Sequence, residues 1–247
     1  MIRIAAIADT HIGIDGAEPW RDAFARVSDE ADLLLLGGDL TRIGAPREAR
    51  AVTAALERVR IPVVAVLGNH DFHASRAGSV ASILLGAGVH LLEGGAWVRA
   101  IGGVRVGIAG VKGFGGGFAN ACGGEFGERE MKSFIRHTRR TADRLRRSLA
   151  TLEADLRIAL LHYSPIEATL HGERCEIYPW LGSYLLGEAI DEAGADFVIH
   201  GHAHGGAEKG STPAGIPVRN VAQPVIRAAY RIYCFGRGSA VECSEVG

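Results

Sequence analysis

The sequence predicts an α/β domain in which two β-sheets pack against each other between layers of helices. Short apolar runs alternate with amphipathic stretches through the first half of the chain, which is typical of parallel strands joined by helices. The runs are apolar without interruption, which indicates strands covered on both faces. Hydrophobic residues make up 47% of the 247 residues, which is enough for a large buried core.

Three strand–helix pairs open the chain. The first helix places Trp20, Phe24 and Val27 on one face, and Pro46 suits the first turn of the second helix. The order of strands and helices favours a largely parallel sheet. We predict strands at residues 2–8, 33–36 and 63–67, and helices at residues 19–31, 46–59 and 78–85.

The second half of the chain has a different pattern. Gly102-Gly103 predicts a hairpin between strands at 97–101 and 104–109. The glycine-rich segment 111–128 is predicted to be a mobile loop without regular structure. No repeat or linker divides the chain, so we expect a single domain over residues 1–247. The remaining predictions are helices at 129–154 and 181–193, strands at 156–161 and 197–199, and a tail of antiparallel strands at 216–241.

The composition argues against several classes of protein. A formal net charge of -1 and a pI near 6.8 disfavour binding to nucleic acid or membranes through bulk charge. Asp9 comes too early for the apolar core of a signal peptide, and no apolar run approaches the roughly 20 residues that span a bilayer. The four cysteines form no C-x-x-C pair, so we expect free thiols. We therefore expect a soluble, cytoplasmic protein.

Residues that can bind metal ions follow five of the predicted strands. In open α/β sheets, ligands bind beyond the carboxyl ends of the strands, so these residues are expected to share one crevice. The five segments are Asp9-Thr10-His11, Gly38-Asp39, Gly68-Asn69-His70-Asp71, His162 and His200-Gly201-His202-Ala203-His204.

The chemistry of these residues indicates two divalent metal ions. Neutral imidazoles with carboxylate and carbonyl oxygens, without thiolates, suit manganese, iron, cobalt or zinc. More than four ligands imply two ions, and a carboxylate shared between ions about 3.5–4 Å apart is the usual arrangement for attack on phosphate. Each segment alone has an ordinary explanation, such as Asp39 in a turn or His162 as a hydrogen-bonded core residue. The five segments together favour a metal centre.

In this order, the five segments resemble the signature motifs of the calcineurin-like metallophosphoesterase superfamily. The resemblance extends from position 9 to position 204. It implies a four-layer α-β-β-α sandwich of two mixed β-sheets flanked by helices. It also implies that a phosphate ester is hydrolysed by a hydroxide held between two metal ions, with manganese expected and iron, zinc or cobalt as alternatives.

The resemblance assigns a role to each motif residue. Asp39 is implied to bridge the two ions. His70 is implied to be a catalytic residue that gives a proton or hydrogen bond to the phosphate, and we expect Asp71 to orient its ring. His200 falls outside the implied ligands, and we expect it in the core or behind them. The other ligands form two sets, Asp9, His11 and His204 for one ion and Asn69, His162 and His202 for the other.

The motifs also bear on the substrate. Serine/threonine protein phosphatases of the superfamily carry Asp-Arg-Gly after the second motif and Asn-His-Glu in the third. This chain has Leu40-Thr41-Arg42 and Asn69-His70-Asp71 instead. It resembles the small bacterial branch that includes cyclic nucleotide phosphodiesterases. We therefore expect a small phosphodiester such as a cyclic nucleotide, with a phosphomonoester as the alternative.

Three further residues are candidates for contact with the substrate. Arg42 lies near a metal ligand and could bind a phosphate oxygen, while Phe114 and Phe118 could close over a flat group. The ordinary alternatives are an exposed arginine and a surface loop. The arginine-rich helix at 129–154 leaves a nuclease as another possibility, which the nearly neutral net charge disfavours. Intact ligand positions disfavour a non-catalytic scaffold. The sequence does not predict the oligomeric state and leaves a dimer open.

Overall fold

Two six-stranded mixed sheets form the centre of the protein. The computed structural model describes residues 1–119 and 121–236 and the backbone of 239–242. The first sheet has the order β14-β13-β1-β2-β3-β4. Its strands are β1 (Ile2–Ile7), β2 (Leu33–Gly37), β3 (Val63–Val66), β4 (His90–Leu91), β13 (Arg231–Gly236) and β14 (Ser239–Glu242).

The second sheet has the order β11-β12-β10-β9-β6-β5. In each sheet four adjacent strands run parallel, and antiparallel strands complete the edges. The strands of the second sheet are β5 (Gly95–Ile101), β6 (Val104–Val111), β9 (Leu156–Leu161), β10 (Phe197–His200), β11 (Lys209–Ser211) and β12 (Pro217–Asn220). A separate two-stranded hairpin consists of β7 (Gly117–Phe118) and β8 (Ala121–Cys122).

Helices cover the outer face of each sheet. The first sheet is covered by α1 (Ala17–Glu30), α2 (Pro46–Leu56) and α3 (Ala77–Gly86), and the second by α4 (Arg129–Ala150) and α6 (Tyr184–Ala193). The shorter helices are α5 (Tyr178–Leu181) and α7 (Gln223–Ile226). Among the described residues, no helix combines the length and the apolar character needed to cross a membrane.

Strand β9 shows how the sequence specifies the layers. Its successive side chains point to opposite faces of the sheet. Ile158 and Leu160 pack in the core that includes the first sheet, whereas Ala159 and Leu161 pack against the residues of α4 and α6. A strand buried on both faces needs an uninterrupted apolar run, as the sequence shows. The predicted four-layer sandwich of two mixed sheets flanked by helices is confirmed.

The glycine-rich segment is more regular than predicted. It contains the β7–β8 hairpin, and the N–H groups of Gly116 and Gly117 donate to the carbonyls of Pro179 (2.7 Å) and Gly182 (2.9 Å). These partners lie about sixty residues further along the chain and were not recognisable from local sequence. The prediction of a loop without regular structure is therefore wrong for residues 117–118 and 121–122.

Two predictions for the end of the chain need correction. Strand β12 pairs in parallel with β10, and the one-turn helix α7 interrupts the predicted run of antiparallel strands. Cys122 and Cys175 are free, but Cys234 takes part in a disulfide bond, so the expectation of a free thiol is wrong there. Cys243 lies outside the described residues.

Arg157 joins the ends of the two helices that cover the second sheet. Its guanidinium donates to the carbonyl of Leu149 near the end of α4 and to that of Ala193 at the end of α6, the latter at 3.0 Å. These carbonyls have no partner within their helices, and a cation at a helix C-terminus is favourable. The side chain therefore ties the outer helical layer to β9.

We expect Arg157→Met to lower the free energy of unfolding by about 1–3 kcal/mol, because it leaves the Ala193 carbonyl unpaired and leaves the Leu149 carbonyl with the N–H of Leu152 as its partner. Urea denaturation followed by circular dichroism measures the change. The matched control is Arg105→Met, which removes an exposed ion pair with Asp155 at 3.8 Å and is expected to cost less than about 1 kcal/mol. Equal losses in the two variants would contradict the assigned role.

Candidate metal centre

The carboxyl ends of the parallel strands from both sheets meet at one edge. Backbone hydrogen bonds join the loops there, from the N–H of Asp9 to the carbonyl of Gly38 and from the N–H of His11 to the carbonyl of Asp39, both 3.0 Å. From the second sheet, the ring of His162 reaches the carbonyl of Gly37 at 2.9 Å. The predicted ligands, which lie far apart in the sequence, therefore converge at the seam between the sheets.

The first cluster of ligand atoms belongs to Asp9, His11 and His204, whose candidate atoms all lie within 4.8 Å of one another. Nε2 of His204 lies 2.9 Å from Oδ1 of Asp9. Nε2 of His11 lies 3.9 Å from Oδ1 of Asp9 and 3.9 Å from Oδ2 of Asp39. This buried nitrogen has no hydrogen-bond partner, so it is free to bind a cation between the two carboxylates.

The second cluster consists of Asp39, His162 and His202. Nδ1 of His162 donates to the carbonyl of Gly37, which leaves Nε2 as the ligand atom, 3.4 Å from Asp39 and 2.9 Å from Oδ1 of Asn69. Nε2 of His202 donates to the carbonyl of Trp180 at 3.2 Å, which leaves Nδ1 for a metal ion. Asn69 therefore stands beside this cluster, and its assignment as a ligand remains a prediction.

Asp39 connects the two clusters. Its Oδ2 faces the imidazole of His11, and its Oδ1 faces that of His162. One carboxylate can therefore contribute an oxygen to each of two ions, which suits a pair of divalent cations. The donors are nitrogen and oxygen atoms without thiolate, so the residues fit manganese, iron, cobalt or zinc.

The electrostatics of the site also call for cations. Burial opposes ionisation of Asp39, but the imidazoles of His162 and His70 outweigh this effect and hold the pKa of Asp39 well below its usual range. Burial disfavours the charged form of His162, yet the carboxylates of Asp39 and Asp9 outweigh burial and raise its pKa to about 9. The carboxylates thus create a negative potential at the seam, which favours positive charge there.

Four ligands have a left-handed backbone. The φ angles are 59° at Asp9, 43° at His11, 51° at Asp39 and 71° at His202. Each such conformation costs a residue with a side chain on the order of 1–3 kcal/mol and persists only where surrounding contacts impose it. The backbone hydrogen bonds between the loops supply such contacts for Asp9 and His11. Four of the six described non-glycine residues with positive φ are therefore candidate ligands.

His70 lies at the edge of the first cluster. Its Nδ1 donates to the carbonyl of Arg42 at 2.8 Å, and its Nε2 lies 3.9 Å from Oδ2 of Asp39. The ring therefore presents Nε2 to the centre, and His70 also forms a candidate ligand group with His11 and Asp39. Its assignment as a non-ligand acid remains a prediction.

Asp71 does not orient His70, which corrects the expectation from the sequence. Its fully buried carboxylate accepts hydrogen bonds from the N–H groups of Gly68 (2.8 Å) and Thr41 (2.9 Å) and from the hydroxyl of Thr41 (2.6 Å). Its carboxylate is therefore turned toward the loop after β2, and the partner of the His70 ring is the Arg42 carbonyl. Asp71 ties the loops that carry Asp39 and His70 together, which is a structural role.

The predicted substrate contacts occupy different positions. Arg42 is exposed and lines a cavity of about 670 Å³ together with His11 and His70. Phe114 is half-buried, with its ring 4.6 Å from that of His137 and 5.9 Å from that of Tyr163. Phe118 is 4% exposed and packs against Leu170, Tyr178 and Leu181. Burial in this cluster makes Phe118 unavailable to a substrate.

His200 lies behind the ligands, as expected. The side chain is fully buried, with Nδ1 2.8 Å from the carbonyl of Gly201 and Nε2 2.9 Å from the hydroxyl of Thr169. Burial lowers its pKa to about 4, which favours the neutral ring. Both nitrogens are occupied, so His200 is not a candidate ligand.

The sequence did not single out two neighbours of the second cluster, Tyr163 and Lys112. The ring of Tyr163 lies 4.3 Å from that of His202 and flanks it. Nζ of Lys112 lies 4.9 Å from the centre of the Tyr163 ring. Lys112 directly follows β6 and Tyr163 is the second residue after β9, so position near a strand end was the signal available.

Gly68 provides a test of this geometry, because a Cβ atom there would lie 2.0 Å from Oδ1 of Asp39. We expect Gly68→Ala to displace the Asp39 carboxylate and weaken manganese binding by about tenfold or more. Isothermal titration calorimetry measures the affinity. Gly78→Ala is the matched control, since a Cβ atom there meets nothing within 4 Å. Unchanged affinity in Gly68→Ala would show that Asp39 does not bind the metal in this position.

Several solved structures share the fold. The phosphopantetheinyl hydrolase from Mycobacterium tuberculosis has a TM-score of 0.70 at 14% identity, over 94% of this chain and 98% of that one. A putative 5'-nucleotidase from Staphylococcus aureus has a TM-score of 0.62 at 14% identity, over 98% of this chain and 53% of that one. GAP50, the anchor in the inner membrane complex of Plasmodium, has a TM-score of 0.59 at 12% identity, over 97% and 82%. At these identities the likeness shows the fold alone.

The family is shown by the sequence. No curated protein sequence matches the chain significantly. The sequence model of the calcineurin-like phosphoesterases, by contrast, matches residues 2–206, which include both clusters of candidate ligands. The chain therefore belongs to the calcineurin-like phosphoesterase family.

Proposed function

We propose that this chain hydrolyses a small phosphodiester, such as a cyclic nucleotide, with the help of two divalent metal ions, manganese foremost. Its family makes it a hydrolase of phosphate esters. The observation that carries the proposal is the pair of ligand clusters that share Asp39. Two ions bound there would supply Lewis-acid activation of both the phosphate and the attacking water.

The candidate ligands would form one set for each ion. Asp9, His11 and His204 would hold one ion, Asn69, His162 and His202 would hold the other, and Asp39 would contribute to both. The hydrogen bonds of the His162 and His202 rings to backbone carbonyls fix which nitrogen binds metal.

His70 is proposed as the general acid for the leaving oxygen. The Arg42 carbonyl accepts from Nδ1 and so directs Nε2 toward the site. An imidazole held in this way can give a proton to an ester oxygen as the bond to phosphorus breaks. Asp71 takes no part in this step, because its carboxylate accepts hydrogen bonds from Gly68 and Thr41.

A diester substrate is also supported by two depressions, one at the candidate metal centre and one at Phe114. The cavity of about 670 Å³ adjoins His11 and His70 and contains Arg42. A second cavity of about 510 Å³ is lined by Phe114, Arg129, Glu130, Ser133, Phe134 and His137. Phosphodiesters carry a substituent on each side of the phosphorus, so each group can have its own depression. Phe114 offers a flat apolar surface to one of them, and Arg42 offers a charge to the other.

The arginine-rich helix α4 does not add support for a nuclease. Glu125 pairs with Arg139 at 3.2 Å and with Arg136 at 3.7 Å, and Glu93 pairs with Arg144 at 3.4 Å. These pairs reduce the positive potential that would attract a nucleic-acid backbone. A phosphomonoesterase remains the alternative, and comparing the rates on a diester and a monoester distinguishes the two.

We expect manganese-loaded protein to cleave bis-p-nitrophenyl phosphate faster than p-nitrophenyl phosphate, because both ester groups of the diester find a depression. Asn69→Ala and His162→Ala are each expected to lower the rate at least about tenfold by loss of a ligand. Release of nitrophenol measures both substrates, and His171→Ala, which removes an exposed imidazole outside the clusters, is the control. A faster monoester would favour the alternative, and full activity in both ligand variants would refute the metal centre.

For His70→Gln we expect turnover of the diester to fall by about 10²- to 10⁴-fold, since a general acid contributes on this order. The manganese content should remain that of the unsubstituted protein. Turnover is measured at saturating substrate, and metal content by elemental analysis after gel filtration. Loss of manganese from this variant would identify His70 as a ligand instead.

A further inference from the structure

Lys112 follows β6 directly, at the same edge of the second sheet as the metal-binding residues. Strand β6 runs parallel to β9, with Val111 opposite Leu161, the residue before His162. The carbonyl of Lys112 accepts hydrogen bonds from the N–H groups of His162 and Tyr163, both 3.0 Å. Lys112, at the end of β6, therefore lies next to His162, at the end of β9.

Three aromatic rings surround the ammonium group of Lys112. Nζ lies 4.9 Å from the centre of the Tyr163 ring, 5.0 Å from that of Phe114 and 5.4 Å from that of Phe72. Tyr163 packs against the His202 ring, and Phe72 belongs to the short helical turn that follows Asn69. The rings thus hold the cation beside the second cluster, next to His202 and near Asn69.

The ammonium group is incompletely satisfied. A lysine has three N–H donors, and among the described residues Nζ has one oxygen partner, the carbonyl of Gly113 at 3.2 Å. A lysine usually extends its charge into water, whereas this one is partly buried under aromatic side chains. Burial lowers the pKa of Lys112, and the attraction of Glu93 and Asp39 opposes this effect without overcoming it.

The surroundings favour an added anion over a purely structural role. Aromatic faces attract a cation through the negative potential of the ring, and they use none of its N–H donors. The remaining donors are therefore free for oxygen atoms. A phosphate oxygen is the matching partner, because charge-assisted hydrogen bonds are about twice as strong as neutral ones.

We propose that Lys112 binds an anionic oxygen of the substrate phosphate beside the second cluster, which consists of Asp39, His162 and His202. This inference rests on the proposed function and adds a substrate-binding residue to it. Arg42 lies on the side of His11 and His70, so the phosphate would have one cation on each side. Phe72, Phe114 and Tyr163 hold the ammonium in place for this contact.

The test measures binding of inorganic phosphate to manganese-loaded protein by isothermal titration calorimetry. We expect Lys112→Met to weaken phosphate binding by about tenfold or more, because it removes a charge-assisted hydrogen bond and keeps the apolar stem. Lys112→Arg should recover most of the affinity, since it restores the charge. Manganese binding should be unchanged in both variants. Lys132→Met, which removes a lysine on α4, is the matched control.

Two results would overturn the proposal. The first is unchanged phosphate affinity in Lys112→Met with a full content of manganese. The second is loss of manganese binding in this variant, which would assign Lys112 to support of the metal centre. If Lys112→Met fails to fold, Lys112→Gln carries the same expectations with a polar side chain. Phosphate binding requires no turnover, so this result is separate from the outcome of the hydrolysis assays.

Discussion

Two buried carboxylates at the seam between the sheets constrain the rest of the structure. Asp39 is 1% exposed and Asp9 is 3% exposed. Ionised groups at such depth cost several kcal/mol unless cations or hydrogen-bond donors surround them. The imidazoles and backbone N–H groups that meet these carboxylates come from both sheets, so the sheets must approach closely at this edge. The glycines beside the ligands follow from that approach, since Gly68 has no room for a side chain next to Asp39.

The same constraint explains why the loops hold one another. Asp71 receives its hydrogen bonds from Gly68 and Thr41, and the loop after β1 is bonded to the loop after β2. Loops linked in this way can keep ligands in left-handed conformations that isolated segments would leave. The centre is therefore preorganised by contacts between loops and does not depend on the stiffness of any single one. Preorganised ligands lose little freedom when an ion binds.

The strand ends and their ligands could be predicted because both signals are local. Each buried strand is a run of apolar residues, and the candidate ligands are polar residues within a few positions of the end of the run, although His200, which ends β10, lies behind them. The role of Asp71 could not be predicted, because it depends on which way a side chain points in a helical turn. The burial of Phe118 depends on residues of α5 far along the chain. The predicted strand ended at residue 109 because glycines are frequent beyond it, whereas β6 pairs with a strand on each side and continues to Val111. Lys112 was therefore not recognised as a residue at a strand end.

The contact between His204 and Asp9 joins residues 195 positions apart. Its span means that the first cluster is complete only when nearly the whole fold has assembled. An ion would then bind the finished protein in strong preference to partly folded chains, and by mass action it would shift the folding equilibrium. At a free ion concentration of one hundred times Kd, the added stability would be about 2.7 kcal/mol. Metal supply would thus change the stability of the folded chain as well as its activity.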